Sequence, residues 1–174
     1  MRLRVLLPCL LALVSAACAT TGSVPRPFPM PGEQGAGVPA RPPLGAPVKL
    51  DGGTIAGTAL EFRGFPYRQG GADPSGFDCS GLVRYVFGQH GIIVPRLVAE
   101  QYQVGRRVKP AGIRPGDLLF FSTKGRGATH VAIAIGGNQF VHAPTANGVV
   151  RVEALSSEYW GPRYVGARRI TTNN

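Results

Sequence analysis

Cysteine is scarce in this sequence of 174 residues: there are three, at positions 9, 18 and 79. The first two lie in or beside the apolar segment that opens the chain, which leaves Cys79 without an intramolecular disulfide partner. No disulfide framework is therefore predicted. A lone thiol is either a small buried hydrophobe or a reactive group, and the residues around Cys79 have to decide between the two.

Acidic residues are also scarce, with 9 Asp and Glu against 19 Lys and Arg and a formal net charge of +10. Such an excess attracts anionic surroundings, whether nucleic acid, acidic lipid or an anionic wall polymer. The basic residues are dispersed, however, without a Lys/Arg block or an interleaved aromatic patch, so no nucleic-acid partner is predicted. The length and a hydrophobic share of 44% suit one modest folded domain with additional segments, expected to be a monomer.

The N-terminal apolar run is too short to cross a bilayer. It extends from residue 5 to residue 14, about ten residues, whereas a membrane-spanning helix needs about twenty. Arg2 and Arg4 precede the run and Ser15-Ala16-Ala17 follows it, which is the order of a secretory signal and its cleavage site. We predict that residues 1–17 are a cleaved signal peptide.

Cys18 stands directly after that signal. Ser15-Ala16-Ala17-Cys18 resembles a bacterial lipobox, in which the cysteine is lipidated and becomes the mature N-terminus, although Leu is usual at the position of Ser15. Plain secretion, with cleavage in Ala17-Cys18-Ala19, is the alternative. We expect lipidation of Cys18 and attachment to a membrane. Residues 18–53 are predicted to be a linker, since residues 19–50 hold eight prolines and five glycines.

A folded domain is predicted for residues 54–174. Asp78 can cap a helix whose first turn contains Cys79, and Gly91 can end it. A second, shorter helix is expected at Leu97–Val104. Strands are expected farther along the chain, at Leu118–Phe121, His130–Ile135, Gln139–His142, Val149–Val152 and Tyr164–Ile170. Helices first and antiparallel strands afterwards predict an α+β fold.

The position of Cys79 suits a nucleophile. At the N-terminus of a helix, the positive end of the helix dipole and the unsatisfied backbone N–H groups are expected to lower the pKa of its thiol. The same N–H groups can stabilise an oxyanion, and the backbone amide of Cys79 is the predicted donor.

Three histidines could supply the base. His90 ends the helix that Cys79 begins, about 16 Å away, and cannot reach the thiol. His130 opens one strand of the hairpin turned by Gly136-Gly137-Asn138 and His142 closes the other, so the second is expected to orient the first. A zinc site made by Cys79 and these two histidines is the alternative, but no fourth ligand falls at metal-site spacing. No metal and no cofactor are predicted.

Five sequence blocks surround these residues: Tyr67-Arg68-Gln69-Gly70-Gly71, Gly76-Phe77-Asp78-Cys79-Ser80-Gly81-Leu82, Arg114-Pro115-Gly116-Asp117-Leu118, Thr129-His130-Val131-Ala132-Ile133 and Phe140-Val141-His142-Ala143-Pro144. In order and spacing they resemble the NlpC-type cell-wall peptidases over about 110 residues. Gln69 departs from the family pattern, which often has an aromatic residue there, and this would alter one wall of a substrate groove.

The resemblance implies a papain-like fold, in which N-terminal helices pack on a central antiparallel sheet. It implies a catalytic triad of Cys79, His130 and His142. It also implies that Tyr67 lines the active site and donates a hydrogen bond near the nucleophile. Asp78, taken as a helix cap rather than a catalytic acid, and Ser80 are expected to support the same region.

The same resemblance implies hydrolysis of peptide bonds in peptidoglycan stem peptides, commonly between D-glutamate and a diamino acid, through a thiolate and an acyl-enzyme. Papain-like amidases and acyltransferases with the same Cys–His pair are one alternative, and a lipoprotein that binds wall peptides without cutting them is another. If lipidated in a Gram-negative cell, the chain is expected at the outer membrane facing the periplasm, because Ala19 replaces the Asp that signals inner-membrane retention. Otherwise it is expected to be secreted or cell-surface.

Overall fold

The computed structural model describes residues 51–144 and 148–170. The predicted signal peptide, the predicted lipidation site Cys18 and the predicted linker up to residue 50 lie outside these residues. Within the two described ranges, no helix is both long enough and apolar enough to cross a membrane.

The first helix, α1 (Gly52–Glu61), begins inside the stretch that the sequence assigns to the linker, at Gly52 rather than at residue 54. Asp51 caps it: the carboxylate accepts hydrogen bonds from the Gly53 backbone N–H at 3.1 Å and from the Thr54 hydroxyl at 2.8 Å. A satisfied N-cap stabilises a helix by about 1 kcal/mol, which is why the helix extends back to this residue.

The second helix, α2 (Cys79–Gln89), begins where the sequence predicts. Asp78 is its N-cap, and Gly91, at φ 73°, takes the left-handed conformation that stops a helix. Four buried side chains of α2 pack against the large sheet: Leu82, Val83, Val86 and Phe87. The third helix, α3 (Val98–Gln101), is shorter than the predicted 97–104.

The strands form a two-stranded and a six-stranded sheet, both antiparallel. The small sheet consists of β1 (Ala72–Asp73) and β2 (Gly76–Phe77). The large sheet consists of β3 (Arg106–Val108), β4 (Leu118–Phe121), β5 (His130–Gly136), β6 (Gln139–His142), β7 (Arg151–Ala154) and β8 (Tyr164–Arg169). Its strand order is β3-β8-β4-β5-β6-β7. The predicted α+β class with a central antiparallel sheet is confirmed, although the sequence did not predict β1, β2 or β3.

One strand lies two residues from its predicted place: β7 is Arg151–Ala154 rather than Val149–Val152. The preceding residues pair elsewhere, since the Val150 N–H donates to the Phe65 carbonyl at 2.8 Å. The chain changes partner at Arg151, which pairs with His142 of β6. This displacement brings Glu153 into the sheet beside the histidines.

The large sheet has an apolar core on each face. Along β4, Leu118 and Phe120 pack in the core that includes α1 and α2, whereas Leu119 and Phe121 pack in a second core that includes Trp160. This alternation is the period of two that a strand buried on both faces requires. The second core extends to the end of the sheet where β5 begins and β6 ends, and that end carries the two hairpin histidines.

Gly81 in α2 allows the helix to approach the backbone closely. A Cβ at Gly81 would lie 1.9 Å from the Gly71 carbonyl oxygen, whereas a Cβ at Gly88 would meet nothing within 4 Å. We expect Gly81→Ala to lower the free energy of unfolding by about 3 kcal/mol or more, because backbone cannot move aside as a side-chain tip can. Gly88→Ala, the matched control in the same helix, is expected to raise it by up to about 1 kcal/mol. Urea unfolding measures both, and equal stabilities would contradict this close approach.

Candidate active site

Asp78 fixes the N-terminus of α2, where Cys79 lies. Its carboxylate accepts a hydrogen bond from the Gly81 N–H at 2.7 Å and a two-pronged contact from Arg96, at 3.0 and 2.5 Å. Burial acts to raise the pKa of Asp78, but the hydrogen bonds from Arg96 and Gly81 outweigh it and hold that pKa below its usual value. The carboxylate is thus ionised and fully engaged, as a cap rather than as a proton donor.

The thiol of Cys79 is largely enclosed at the start of α2. Its sulfur faces the backbone N–H groups of Val131, of Ser80 and of Cys79 itself. Burial raises the pKa of the Cys79 thiol, and the lowering effect of these three amides does not offset it. The sequence predicts a lowered pKa from the helix N-terminus, and in the free protein that prediction is wrong, because desolvation of the thiolate outweighs the dipole. The resting group is a neutral thiol that needs a base.

Tyr67 and Ser80 both lie at this end of α2. The pKa of Tyr67 is raised, first by burial and then by the charges that Cys79 and Asp78 carry when ionised. The Ser80 hydroxyl donates to Asp78 at 3.2 Å and accepts from Arg96 at 2.7 Å, so it belongs to the cap network. The Ser80 group that faces the sulfur is its backbone amide.

His130 and His142 are brought together as the sequence predicts. Nε2 of His130 lies 2.9 Å from Nδ1 of His142, and the two rings are nearly perpendicular, at 85°. Both side chains are buried, with 4% and 0% of their surface exposed. Trp160 stacks on the His130 ring at a centroid distance of 5.2 Å. His130 is the first residue of β5, and β5 packs against α2, whose first residue is Cys79.

Glu153 on β7 adds a fourth side chain to the series Cys79, His130 and His142. The sequence did not predict it. Its Oε1 lies 3.5 Å from Nε2 of His142, beyond an ordinary hydrogen bond, and that nitrogen has no closer polar partner among the described residues. Arg151 Nε donates to the same oxygen at 2.5 Å, and the Trp160 indole N–H donates to the other oxygen. Glu153 is thus held facing His142.

These contacts favour one arrangement of protons. If His130 is to accept a proton on Nδ1, its Nε2 must carry hydrogen and donate to Nδ1 of His142. The hydrogen of His142 is then on Nε2, the nitrogen that faces the Glu153 carboxylate. A carboxylate in this position favours that tautomer and stabilises positive charge that develops on His130.

Both histidines are neutral in the folded protein. Burial, and then the neighbouring His142, lowers the pKa of His130 from 6.5 to about 3. Burial also lowers the pKa of His142 from 6.5 to about 4, although Glu153 acts to raise it. Neutral imidazole is the form that can accept a proton from a thiol.

The lowered histidine pKa values make the unfolding free energy depend on pH. Between the unfolded pKa near 6.5 and the folded values near 3 and 4, the unfolded chain binds protons that the folded chain does not. We therefore expect the free energy of unfolding to fall by on the order of 3 kcal/mol between pH 7 and pH 5, above the range where carboxylates titrate. Urea titrations at each pH measure it. His142→Gln should reduce the slope by about half, and a slope of zero in the parent protein would contradict buried neutral histidines.

A cavity of about 320 Å³ adjoins this series on the side of the second core. It is lined by residues of mixed chemistry: Thr123, His130, Pro144, Arg151, Glu153, Tyr159 and Trp160. It offers aromatic surface together with one cationic and one anionic side chain. Within residues 51–144 and 148–170, no group of three His, Cys, Asp or Glu side chains is arranged to hold a metal ion.

Known proteins share this arrangement of elements. A family model described as NlpC/P60 matches residues 64–169. A Bacillus subtilis protein named gamma-DL-glutamyl hydrolase is 42% identical over 123 residues, which are 68% of this chain and 30% of that protein. Escherichia coli murein DD-endopeptidase MepS/murein LD-carboxypeptidase is 41% identical over 115 residues, 66% of this chain and 60% of that protein. The chain thus spans less than two thirds of the length of either relative.

A solved structure from the same family has a similar fold. A protein from Staphylococcus aureus, described as similar to a lipoprotein of the NLP/P60 family, superposes with a TM-score of 0.63 at 39% identity, over 74% of this chain and 45% of that one. This superposition confirms the predicted papain-like fold. Because the family model covers more than half of the sequence, and relatives above 40% identity cover about two thirds of it, the chain belongs to the NlpC/P60 family.

Proposed function

We propose that the chain is a cysteine peptidase that hydrolyses peptide bonds in peptidoglycan stem peptides. The observation that carries the proposal is the series Cys79, His130, His142 and Glu153. It starts at a helix N-terminus and continues through a 2.9 Å contact between the two imidazoles. A protein that bound wall peptides without cutting them would not need a thiol beside a base whose tautomer is fixed.

The proposed reaction proceeds through an acyl-enzyme. The Cys79 sulfur attacks the peptide carbonyl carbon while its proton passes to Nδ1 of His130. The carbonyl oxygen becomes an oxyanion, which the Cys79 and Ser80 amides at the N-terminus of α2 stabilise. His130 then gives its proton to the leaving amine, the C–N bond breaks and a thioester remains. Water, deprotonated by His130, hydrolyses the thioester and regenerates the thiol.

The bond between D-glutamate and a diamino acid is the proposed point of cleavage. The Bacillus subtilis relative is named for a gamma-DL-glutamyl hydrolase activity, which is the same linkage chemistry on the acyl side. The cavity beside His130 presents the half-exposed side chain of Arg151, a cationic group that suits the carboxylate of a diamino acid. The Escherichia coli relative is named as a DD-endopeptidase, so the cross-link bond is the second candidate.

Defined substrates test the proposal. The reduced full chain is incubated with a synthetic L-Ala–γ-D-Glu–diamino acid peptide and, separately, with a D,D-cross-linked dimer of stem peptides, and the products are read by mass spectrometry. Cleavage of the γ-D-glutamyl peptide, absent with iodoacetamide-treated protein and with the L-Glu isomer, is the expected result. Cleavage of the cross-link alone would move the assignment to the second candidate. Cleavage of neither peptide would contradict the proposed function.

Attachment to a membrane through lipidated Cys18 is a further part of the proposal and rests on the sequence. It would hold the enzyme at the cell surface or, in a Gram-negative cell, at the outer membrane facing the periplasm. Mass spectrometry of the mature protein should show a diacylglyceryl or triacyl increment at its N-terminus that Cys18→Ala removes. An unmodified N-terminus in the parent protein would establish plain secretion instead.

Glu153 is expected to act on the rate through His142. Glu153→Gln removes the negative charge and retains the shape, so the favoured tautomer loses its support and kcat should fall about 10–100-fold. KM for a short peptide should change less than kcat. Steady-state kinetics measure both. Glu61→Gln is the matched comparison, because it makes the same substitution at an exposed position at the end of α1, and an equal kcat loss in the two variants would contradict the role given to Glu153.

A further inference from the structure

Arg168 on β8 is a buried cation without an acidic partner. Its side chain is 6% exposed, its Nε has no hydrogen-bond partner, and within residues 51–144 and 148–170 its guanidinium forms no ion pair. The next residue shows the contrast, since Arg169 contacts both oxygens of Asp117, at 2.6 and 2.7 Å. A buried unpaired charge is costly, so the surroundings of Arg168 require an explanation.

A second cation lies directly opposite. Arg107 of β3 pairs with Arg168 of β8 in the antiparallel register, so the two side chains share one face of the sheet. Like charges in this position repel one another. The ring of Tyr102 lies 4.7 Å from the Arg168 guanidinium and offsets part of the cost through a cation–π contact. An aromatic ring does not neutralise two charges.

These groups line a cavity of about 470 Å³ at the β3–β8 edge of the sheet. Its lining residues include three cations and two phenols and no Asp or Glu: Tyr102, Arg107, Val108, Lys109, Pro110, Tyr164, Val165, Gly166, Ala167 and Arg168. The Tyr164 hydroxyl is buried without a hydrogen-bond partner among the described residues, and its ring packs against Phe121 of the second core. The cavity thus combines an unpaired buried guanidinium with uncompensated positive charge.

We propose that this cavity is a binding site for an oxyanion, either a carboxylate or a phosphate group. Arg168 supplies a planar fork of N–H donors, and Arg107 and Lys109 supply charge at the mouth. An anion seated there would pair with the buried guanidinium and relieve the repulsion between Arg107 and Arg168. In an enzyme that acts on a polymer, such a site would hold a charged group remote from the cleaved bond.

The site is separate from the thiol. Tyr164 on β8 pairs with Phe121 on β4, and Phe121 pairs with His130 on β5, so the near end of the cavity is two strands, about 10 Å, from His130. Arg168 lies a further four residues along β8. The inference therefore does not rest on the proposed function, and anion binding should persist in a Cys79→Ala protein.

Calorimetric titration of the full chain with inorganic phosphate and with acetate, at constant ionic strength in chloride, tests the proposal. One saturable site is expected for at least one of the two anions, and the tighter of them identifies the source as phosphate or carboxylate. Arg107→Gln combined with Lys109→Gln, both at exposed positions, should weaken binding at least about tenfold. Arg106→Gln, the neighbour that pairs with Arg169 instead, should change it by less than about twofold. Absence of saturation, or equal weakening in both proteins, would overturn the proposal.

Arg168→Met provides a second, independent test. Methionine keeps an unbranched stem over Tyr102 and removes the charge. If Arg168 is a ligand-binding group without a protein partner, the melting temperature without anion should stay the same or rise, while the increase that the bound anion produces should be lost. A lower melting temperature together with an undiminished anion-induced increase would show that Arg168 is structural and would overturn the proposal.

Discussion

Replacing Cys79 with alanine is expected to lower the rate of stem-peptide hydrolysis by about 10⁴–10⁶-fold. The thiol is the proposed nucleophile, and the neighbouring Ser80 hydroxyl is engaged with Asp78 and Arg96. The fold should survive, because Asp78 caps the helix through the Gly81 amide and not through the Cys79 side chain. Product release measured by mass spectrometry or chromatography, with the melting temperature recorded in parallel, gives the result.

The control lies in the same helix. Gly88→Ala places a methyl group where no atom lies within 4 Å, so it should leave the rate unchanged within about twofold. Cys79→Ser, which keeps a hydroxyl of similar size, should fall well below the parent because a serine hydroxyl is a far weaker acid than a thiol. Hydrolysis by folded Cys79→Ala at more than about one hundredth of the parent rate would refute the assignment of the nucleophile.

The parts of the site that the sequence predicts are those that local signals determine. A capping Asp fixes where α2 begins and therefore which residue lies in its first turn. The hairpin of β5 and β6 is turned by Gly137 and Asn138, both at positive φ, 57° and 63°, and this tight turn sets the register of the strands. Continued from the pairs Ile133–Val141 and Ala134–Phe140, that register puts His142 one diagonal step from His130.

The role of Glu153 could not be predicted from the sequence, because the position of β7 depends on a pairing partner far along the chain. The apolar run at 149–152 predicts a strand there, but Val150 pairs with Phe65, more than eighty residues earlier, and β7 starts only at Arg151. With that register known, Glu153 lies diagonal to His142 across the β6–β7 pair. A local pattern cannot supply a pairing that the tertiary fold decides.

The pKa of Cys79 illustrates the same limit in energetic terms. The helix N-terminus is legible in the sequence and favours the thiolate. The burial that opposes it is a property of the assembled domain, because β5 brings its Val131 backbone against the sulfur. The sequence therefore identifies the candidate nucleophile, whereas the burial that raises the pKa of its thiol depends on the assembled fold.

Replacing His130 with alanine is expected to have the second large effect on the rate. Loss of the base should lower kcat by about 10²–10⁴-fold at pH 7. It should also change the form of the pH dependence. In the parent protein the proposed base, His130, stays neutral down to its pKa of about 3, so its titration should not limit the rate near neutrality. In the variant the thiol must ionise by itself, and because burial raises its pKa, the rate should climb about tenfold per pH unit from pH 7 into the alkaline range.

His90→Ala is the matched control for the loss of an imidazole. His90 lies at the other end of α2 and contacts the Thr58 hydroxyl at 2.9 Å, so its loss should cost about 1 kcal/mol of stability and leave kcat within about twofold. Added imidazole should restore part of the His130→Ala rate through the space that the missing ring leaves, and should not affect Cys79→Ala. If His130→Ala kept the flat pH profile of the parent protein, the proton would leave the thiol by another route, and the base would have to be sought outside the β5–β6 hairpin.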